Sequence, residues 1–255
     1  MKKMLPLLVS LFISLAMSCE QNVSVRVGRP PASKPDDKGK DKDGDKGVDK
    51  DKDEDEEQEQ GKGPKKPKID LTSLDQQCRE VVLAKPGNKP FVLGELKERF
   101  LATHNEVRKI YGLNDLEWDN NIARYAQEWA EYLKKNNKCE MKHRSWLNMT
   151  AGKDYGENLA WNWTSRPTPS GVYVFTPEKS NYGWSKECVD YDYSSNSCKG
   201  KQCGHFTQVV WRSTKKVGCG VATCDGGETD TGYGRSEVWV CNYSPPGNYA
   251  GLKPF

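Results

Sequence analysis

The sequence is poor in histidine and in the short motifs that mark several enzyme classes. Its 255 residues contain only three histidines, His104, His143 and His205. No His-Glu-x-x-His, Cys-x-x-Cys or Gly-x-Ser-x-Gly pattern occurs, which excludes the usual signatures of zinc metalloproteases, dithiol redox proteins and α/β-hydrolases. The net charge is only +3, and no basic stripe is interleaved with aromatic residues. We therefore expect no nucleic-acid partner.

Long apolar runs are scarce as well, apart from one at the N-terminus. Residues 4–17 form this run, and Lys2 and Lys3 precede it. This pattern is typical of a secretory signal and is short for a membrane span, so residues 1–18 are predicted to be a signal peptide. We predict an extracellular or cell-surface location.

The residue that follows the predicted signal is a cysteine. Leu15-Ala16-Met17-Ser18-Cys19 is similar to the lipobox of bacterial lipoproteins. This predicts Cys19 as a lipid-attachment site on an outer-membrane or surface lipoprotein, with membrane contact through this anchor alone. The alternative is an ordinary signal followed by an unpaired cysteine.

The cysteine count supports export. The chain has nine cysteines, and an odd number leaves one outside any set of intramolecular bridges. In an exported protein the remaining eight predict a disulfide framework. These eight all lie after residue 68: Cys78, Cys139, Cys188, Cys198, Cys203, Cys219, Cys224 and Cys241.

Composition also divides the chain into segments. Residues 19–68 are rich in Pro, Lys, Asp and Glu and nearly lack large apolar residues, which predicts a disordered charged linker. We predict a short pre-domain segment over residues 69–90. The folded domain is predicted over residues 91–255.

Hydrophobic periodicity within the domain predicts helices and a hairpin. Helices on both faces of a small antiparallel sheet are the natural packing for this order. Lys153–Tyr173 is predicted to be a loop. The predicted helices are Phe91–Tyr111, Asp119–Asn136 with Asp119 as N-cap, and Thr176–Cys188. The predicted hairpin joins Val217–Thr223 to Glu237–Asn242.

Four motifs resemble those of one family. They are Gly204-His205-Phe206-Thr207-Gln208-Val209-Val210-Trp211, Val240–Tyr249, His104-Asn105-x-x-Arg108 and Tyr155-Gly156-Glu157-Asn158-Leu159-Ala160. Together they are similar to the CAP superfamily of cysteine-rich secretory, antigen 5 and plant pathogenesis-related proteins, over residues 91–255. The resemblance implies an α+β fold, a three-layer α-β-α sandwich stapled by disulfides.

The resemblance also implies a site. Its central groove is expected to be lined by His104, Glu157, Glu187 and His205, residues that in related proteins can hold zinc or another divalent cation. The alternatives are a hydrogen-bonded scaffold and a metal-dependent, protease-like hydrolase using the same four residues. His143 is assigned a structural role, because Arg144 separates it from the serine that follows it in the family.

Disulfide pairing follows partly from the same resemblance. It implies the pairs Cys139–Cys224, Cys198–Cys203 and Cys219–Cys241. Cys78 and Cys188 are additional to that set and are expected to pair with each other. The C-terminal segment Pro245–Phe255 resembles a peptide that plant members release, and the alternative is a tail that caps the domain.

Together these features favour a monomeric binding module over an enzyme. Its expected ligands are a divalent metal and a lipid or sterol, or else an extracellular protein. An effector-like or toxin-like interaction protein is a further alternative. The ligand classes come from the family resemblance rather than from the residues themselves.

Overall fold

The computed structural model describes residues 71–145, 154–166, 168–169, 171–200, 202–225 and 234–255. The predicted signal peptide, Cys19 and the charged linker lie outside these residues and stay predictions. None of the helices in the described ranges is long and apolar enough to cross a membrane.

The described residues form helices, short strands and two long strands. The α-helices are α1 Leu71–Leu83, α2 Leu96–Ile110, α3 Asn120–Asn137, α4 Pro177–Ser185 and α5 Gly204–Val209. The strands are β1 Glu117–Trp118, β2 Gly156–Thr164, β3 Tyr191–Asp192, β4 Ser197–Cys198, β5 Lys216–Asp225 and β6 Arg235–Ser244. A 3₁₀ helix, Lys186–Asp190, follows α4 directly.

The three predicted helices lie where expected, with small changes at their ends. Asp119 caps α3 and accepts hydrogen bonds from the backbone N–H groups of Asn121 and Ile122, which satisfies donors that the first helical turn leaves unpaired. Thr176 caps α4 in the same way, with Pro177 at the start of the helix. The α-helical part of this element ends at Ser185 and continues as the 3₁₀ helix.

The sheet is mixed rather than purely antiparallel. Its strand order is β1-β5-β6-β2. The predicted hairpin is confirmed, since β5 and β6 pair antiparallel from Lys216 opposite Ser244 to Asp225 opposite Arg235. The expected all-antiparallel arrangement is wrong at one edge, where β1 pairs parallel with β5. A strand of two residues is too short to show a sequence periodicity.

The prediction of a loop over Lys153–Tyr173 is wrong for Gly156–Thr164 and holds for the described residues that follow, up to Tyr173. Gly156–Thr164 forms β2, which pairs antiparallel with β6 along its full length. The first five residues of β2 are all buried. A strand covered on both faces loses the alternation of polar and apolar residues by which a half-buried strand is recognised.

The two long strands separate two layers of helices. Side chains alternate across a strand, so Val217, Cys219 and Val221 of β5 pack with α2, α4 and α5 in one core cluster. Ala222 and Cys224 belong to a second cluster, built on α3. The sheet therefore lies between α3 on one face and the other helices on the opposite face, which confirms the three-layer sandwich.

Two glycines on the α3 face of β5 allow this layer to approach closely. A Cβ atom at Gly218 would lie 2.1 Å from the backbone nitrogen of Ala123, and one at Gly220 would lie 2.5 Å from the Cα of Gln127. Both distances are shorter than any real contact. Hydrogen bonds between the Gln127 side chain and the backbone of Val221, each 2.9 Å, fix the same interface.

Four disulfides cross-link the domain. They join Cys78–Cys188, Cys139–Cys224, Cys198–Cys203 and Cys219–Cys241, the pairs expected from the sequence. The Cys219–Cys241 bridge links directly opposed residues of β5 and β6. The Cys139–Cys224 bridge ties the end of α3 to the end of β5.

A buried arginine connects α2 to the chain that follows α5. The Arg108 side chain is fully buried. It donates to the carbonyl oxygens of Asn114 at 2.8 Å, Val209 at 2.9 Å, Trp211 at 3.0 Å and Thr214 at 3.3 Å. Arg108, the arginine of the His-Asn-x-x-Arg motif, therefore has a structural role, because it holds α2 against the end of α5 and the segment that follows.

Candidate functional site

His205 is held by a carboxylate from the 3₁₀ helix. The Nδ1 atom of His205 lies 2.7 Å from Oε1 of Glu187, and the backbone N–H of His205 donates to Oε2 at 3.0 Å. Both residues are at least nine-tenths buried. The Gln202 side-chain amide nitrogen lies alongside, 2.8 Å from Nδ1. The Glu187 carboxylate thus fixes both the position and the rotation of the His205 ring.

A second His–Glu pair lies at the start of β2. The Nδ1 atom of His143 is 2.8 Å from Oε1 of Glu157. The same oxygen accepts the backbone N–H of Arg144 at 3.0 Å, and Asn242 donates to Oε2 at 3.4 Å. His143, assigned a structural role from the sequence, is therefore the imidazole that Glu157 orients.

His104 lies elsewhere, in the core beneath the sheet. Its ring is fully buried, with Nδ1 2.7 Å from the Phe100 carbonyl oxygen and Nε2 2.8 Å from the Tyr243 hydroxyl. A carbonyl only accepts, so Nδ1 carries the proton and Nε2 accepts from the tyrosine. Both nitrogens are occupied, and the structure does not support the expected role of His104 as a metal ligand.

Strand β2 contacts residues of both His–Glu pairs. Asn158 follows Glu157 in β2, and its side-chain amide donates to the carbonyl oxygen of His205 at 3.1 Å and to the Tyr243 hydroxyl at 3.2 Å. Among the residues that the structure describes, no group of three or more His, Cys, Asp or Glu is arranged to hold a metal ion. The four side chains thus form two hydrogen-bonded pairs rather than one preformed cluster.

The pairing decides which ring nitrogen is available for a ligand. In each pair the carboxylate accepts at Nδ1, so the imidazole in its neutral form carries its proton there and presents the lone pair of Nε2. Beside His205 this orientation requires the oxygen of the Gln202 amide, rather than its nitrogen, to face Nδ1. Carboxylates hold metal-binding histidines in this way, which fixes the tautomer and raises the basicity of the ligating nitrogen. Nε2 of His143 and Nε2 of His205 are therefore the two donor atoms that this site offers.

His104 is expected to make stability fall in mild acid. Burial lowers the pKa of His104 from its ordinary 6.5 to about 4. As the pH falls, the unfolded chain takes up this proton first, so the stability is complete above pH 6.5 and is lost progressively towards pH 4. The loss between pH 7.5 and 4.5 should be about 2 to 3 kcal/mol, measured by urea unfolding.

The control for this prediction is the His104→Gln variant. Glutamine offers hydrogen bonds at this position but does not titrate, while the carboxylates titrate in both proteins. The difference between the two pH profiles therefore isolates the imidazole. Parallel profiles for the two proteins would contradict the assignment.

A separate apolar cavity lies on the helical side of the domain. Its volume is about 680 Å³. Tyr111, Tyr191, Phe206 and Phe255 line it together with side chains of α1, and burial raises the pKa of both tyrosines. Charged side chains also line it, namely Asp75, Arg79, Asp192 and Lys199.

The C-terminal segment forms part of this cavity and of the core. The Phe255 ring stacks on Tyr193 with ring centroids 5.2 Å apart, and the Tyr193 hydroxyl donates to the Phe255 carbonyl oxygen at 2.8 Å. The backbone N–H of Arg212 donates to the Pro254 carbonyl oxygen at 2.6 Å. These contacts favour the capping-tail interpretation of Pro245–Phe255 over a loosely held peptide.

A disulfide-bonded three-layer domain with paired His and Glu side chains defines the CAP class of proteins. The chain belongs to this family: the family model for cysteine-rich secretory proteins matches residues 101–243. Helix α1 precedes the matched region.

The curated relatives include plant proteins. The chain is 36% identical to a pathogenesis-related protein 1 of Arabidopsis thaliana over 156 residues, which cover 61% of this chain and 80% of that protein. It is 37% identical to pathogenesis-related protein PR-1 of Medicago truncatula over 171 residues, covering 67% and 85%. Membership of a family of secretory proteins supports the extracellular location.

The chain was also compared with solved structures. Venom allergen-like protein 4 of Schistosoma mansoni is 22% identical, with a TM-score of 0.46, and the match covers 63% of this chain and 94% of that one.

The sequence alone did not single out His143, Gln202 or Tyr243 as members of these networks. His143 carried one signal, its position shortly before the Gly-Glu-Asn motif and shortly after a bridged cysteine. Spacing along the chain does not reveal which imidazole meets which carboxylate.

Proposed function

We propose that the chain is an extracellular CAP-family binding module that binds a divalent cation such as zinc. His143 and His205 would hold the ion through Nε2. The observation that carries this proposal is the orientation of both imidazoles by buried carboxylates, Glu157 and Glu187, at Nδ1. Zinc suits imidazole nitrogen ligands, and water would complete its coordination.

The same geometry favours binding over hydrolysis. A metal-dependent hydrolase needs a carboxylate or a similar base free to take a proton from the attacking water. Glu157 and Glu187 are each engaged with an imidazole and with backbone N–H groups. The hydrolase and the effector-like alternatives stay predictions without a structural observation in their favour.

Isothermal titration calorimetry of the purified metal-free protein with zinc tests the metal proposal. We expect one zinc site in the wild type and none in the His143→Ala/His205→Ala variant. Glu157→Gln should bind about 10-fold to 100-fold more weakly, because it loses only the group that orients the ring. Glu98→Gln, on the exposed surface of α2, is the matched control.

Two results would count against this proposal. Absence of zinc binding by the folded wild type leaves the His–Glu pairs as a structural scaffold. Zinc-dependent turnover of a peptide substrate that is lost in the double variant identifies an enzyme.

A second candidate function is the binding of a lipid or sterol in the apolar cavity. The observation in its favour is the 680 Å³ volume with an aromatic lining. The fluorescent sterol dehydroergosterol tests it: Val82→Trp, which places a large ring in the cavity, should reduce its binding at least about tenfold. Glu80→Trp, on the exposed surface of α1, should leave binding unchanged, and equal loss in both variants contradicts this site.

Attachment to a membrane through Cys19 also remains a proposal. It rests on the sequence around Cys19 and on the odd number of cysteines. The intact mass of the mature protein tests it, because an acylated N-terminal cysteine adds the mass of its acyl chains. A mature chain that begins at Cys19 without added mass would contradict the anchor.

A further inference from the structure

Helix α1 lies outside the matched family region and yet forms one wall of the apolar cavity. Leu74, Cys78 and Val82 project from α1 into the lining. The opposite wall consists of residues of the family domain, including Tyr191 and Phe206. Without α1 the cavity would be an open shelf on the surface of the domain.

The noncovalent packing of α1 is thin. Among its described side chains, Val81 alone is buried, at 2% exposure, while Leu74 and Val82 are half-buried and Leu83 is 79% exposed. The Tyr182 hydroxyl donates to the Val82 carbonyl oxygen at 3.0 Å.

Burial of Val81 alone does not offset the cost of ordering α1. One buried side chain compensates the entropy of ordering only a few backbone residues. The 13 residues of α1 therefore need a further restraint to stay on the domain.

The Cys78–Cys188 disulfide supplies that restraint. It joins the middle of α1 to the 3₁₀ helix Lys186–Asp190, across 110 residues of sequence. A bridge that closes so long a segment removes much of the conformational freedom of the open state. Cys188 and its neighbour Val189 also line the cavity, so the bridge fastens α1 at the cavity itself.

We propose that α1 is a covalently latched lid over the apolar cavity, and that the Cys78–Cys188 bridge controls how ligands enter and leave. The proposal rests on the second candidate function above, the binding of an apolar ligand in this cavity. With the bridge intact, α1 limits ligands to those that fit between it and the family domain. With the bridge open, α1 detaches and the cavity exchanges its contents freely.

A dithiol reductant would open the latch. One of its thiolates attacks the partly exposed Cys78 sulfur and displaces the Cys188 thiolate, giving a mixed disulfide. The second thiol of the reductant then attacks that mixed disulfide and releases the Cys78 thiolate. The bridge takes up two electrons and two protons to become two thiols, and the dithiol is oxidised to its cyclic disulfide.

Ligand exchange kinetics test the lid. Dehydroergosterol dissociation is measured for the wild type and for Cys78→Ser/Cys188→Ser, which removes the bridge and leaves no free thiol at these positions. We expect dissociation at least about tenfold faster in the variant. Cys139→Ser/Cys224→Ser, which removes a bridge on the α3 face of the sheet, away from the cavity, is the matched control and should keep the wild-type rate.

Hydrogen exchange provides a readout that needs no ligand. The amides of α1 should lose their protection in Cys78→Ser/Cys188→Ser, while those of α2 and α3 keep theirs and so report an intact fold. Protected α1 amides in this variant overturn the proposal, as does an unchanged dissociation rate. If the wild type binds no dehydroergosterol, the ligand function fails, and loss of α1 protection still supports the latch itself.

Discussion

Replacing Arg108 with methionine is expected to lower the free energy of unfolding by about 4 kcal/mol. The guanidinium donates to four backbone carbonyl groups, of which, within the described residues, only that of Trp211 is seen to accept a further hydrogen bond, from the backbone N–H of Thr214. Burial lowers the pKa of Arg108 to about 10, which still leaves the group charged at neutral pH. Methionine fills similar space but provides no donor, so buried carbonyl groups lose their partners.

Urea unfolding followed by tryptophan fluorescence measures this change. Lys109→Met is the matched control, since Lys109 is the next residue of α2 and is exposed; a surface substitution of this kind should change the stability by less than about 0.5 kcal/mol. Equal effects of the two substitutions would show that the carbonyl contacts of Arg108 contribute little.

The Gly218→Ala substitution should destabilise the fold by about 3 kcal/mol. One added methyl group would lie 2.1 Å from the backbone nitrogen of Ala123 and 2.6 Å from the carbonyl carbon of Ile122. Backbone atoms of a helix cannot move aside as a flexible side chain can. The whole of α3 would have to shift away from β5, and part of the cluster around Trp129 and Leu133 would lose its packing.

Gly183→Ala is the matched control for this substitution. Gly183 lies within α4, and a Cβ atom there would meet nothing within 4 Å. Alanine favours a helix over glycine by about 1 kcal/mol, so this variant should be as stable as the wild type or more stable. Thermal unfolding of both variants gives the comparison, and a harmless Gly218→Ala would mean that α3 is not seated on β5 as described.

Much of the fold was predictable because its helices and its central hairpin have strong local signals. Asp119 and Thr176 mark helix starts, and the polar Gly-rich segment between β5 and β6 marks a hairpin. β2 was missed because its first half is buried on both faces and its partner β6 is distant in sequence, so neither alternation nor a connecting turn reveals it. β1 was missed because a strand of two residues is too short to show the alternation of polar and apolar side chains.

The site was less predictable than the fold. The motifs indicated Glu157, Glu187 and His205, but the choice between two imidazoles depended on where α2 and the segment after α3 lie in space. His104 belongs to an apolar helix face and points into the core, where Tyr243 and Phe100 satisfy it. His143 lies on the segment after α3, where the Glu157 carboxylate contacts both its ring and the backbone N–H of Arg144.

The docking of Phe255 against Tyr193 has a practical consequence for engineering this protein. Phe255 and helix α1 both line the same cavity, although they come from opposite ends of the described sequence. A fusion partner or affinity tag joined after Phe255 begins at the cavity wall and competes with any bound molecule for space. Display of the domain on a surface is therefore best achieved through the long charged segment that precedes α1.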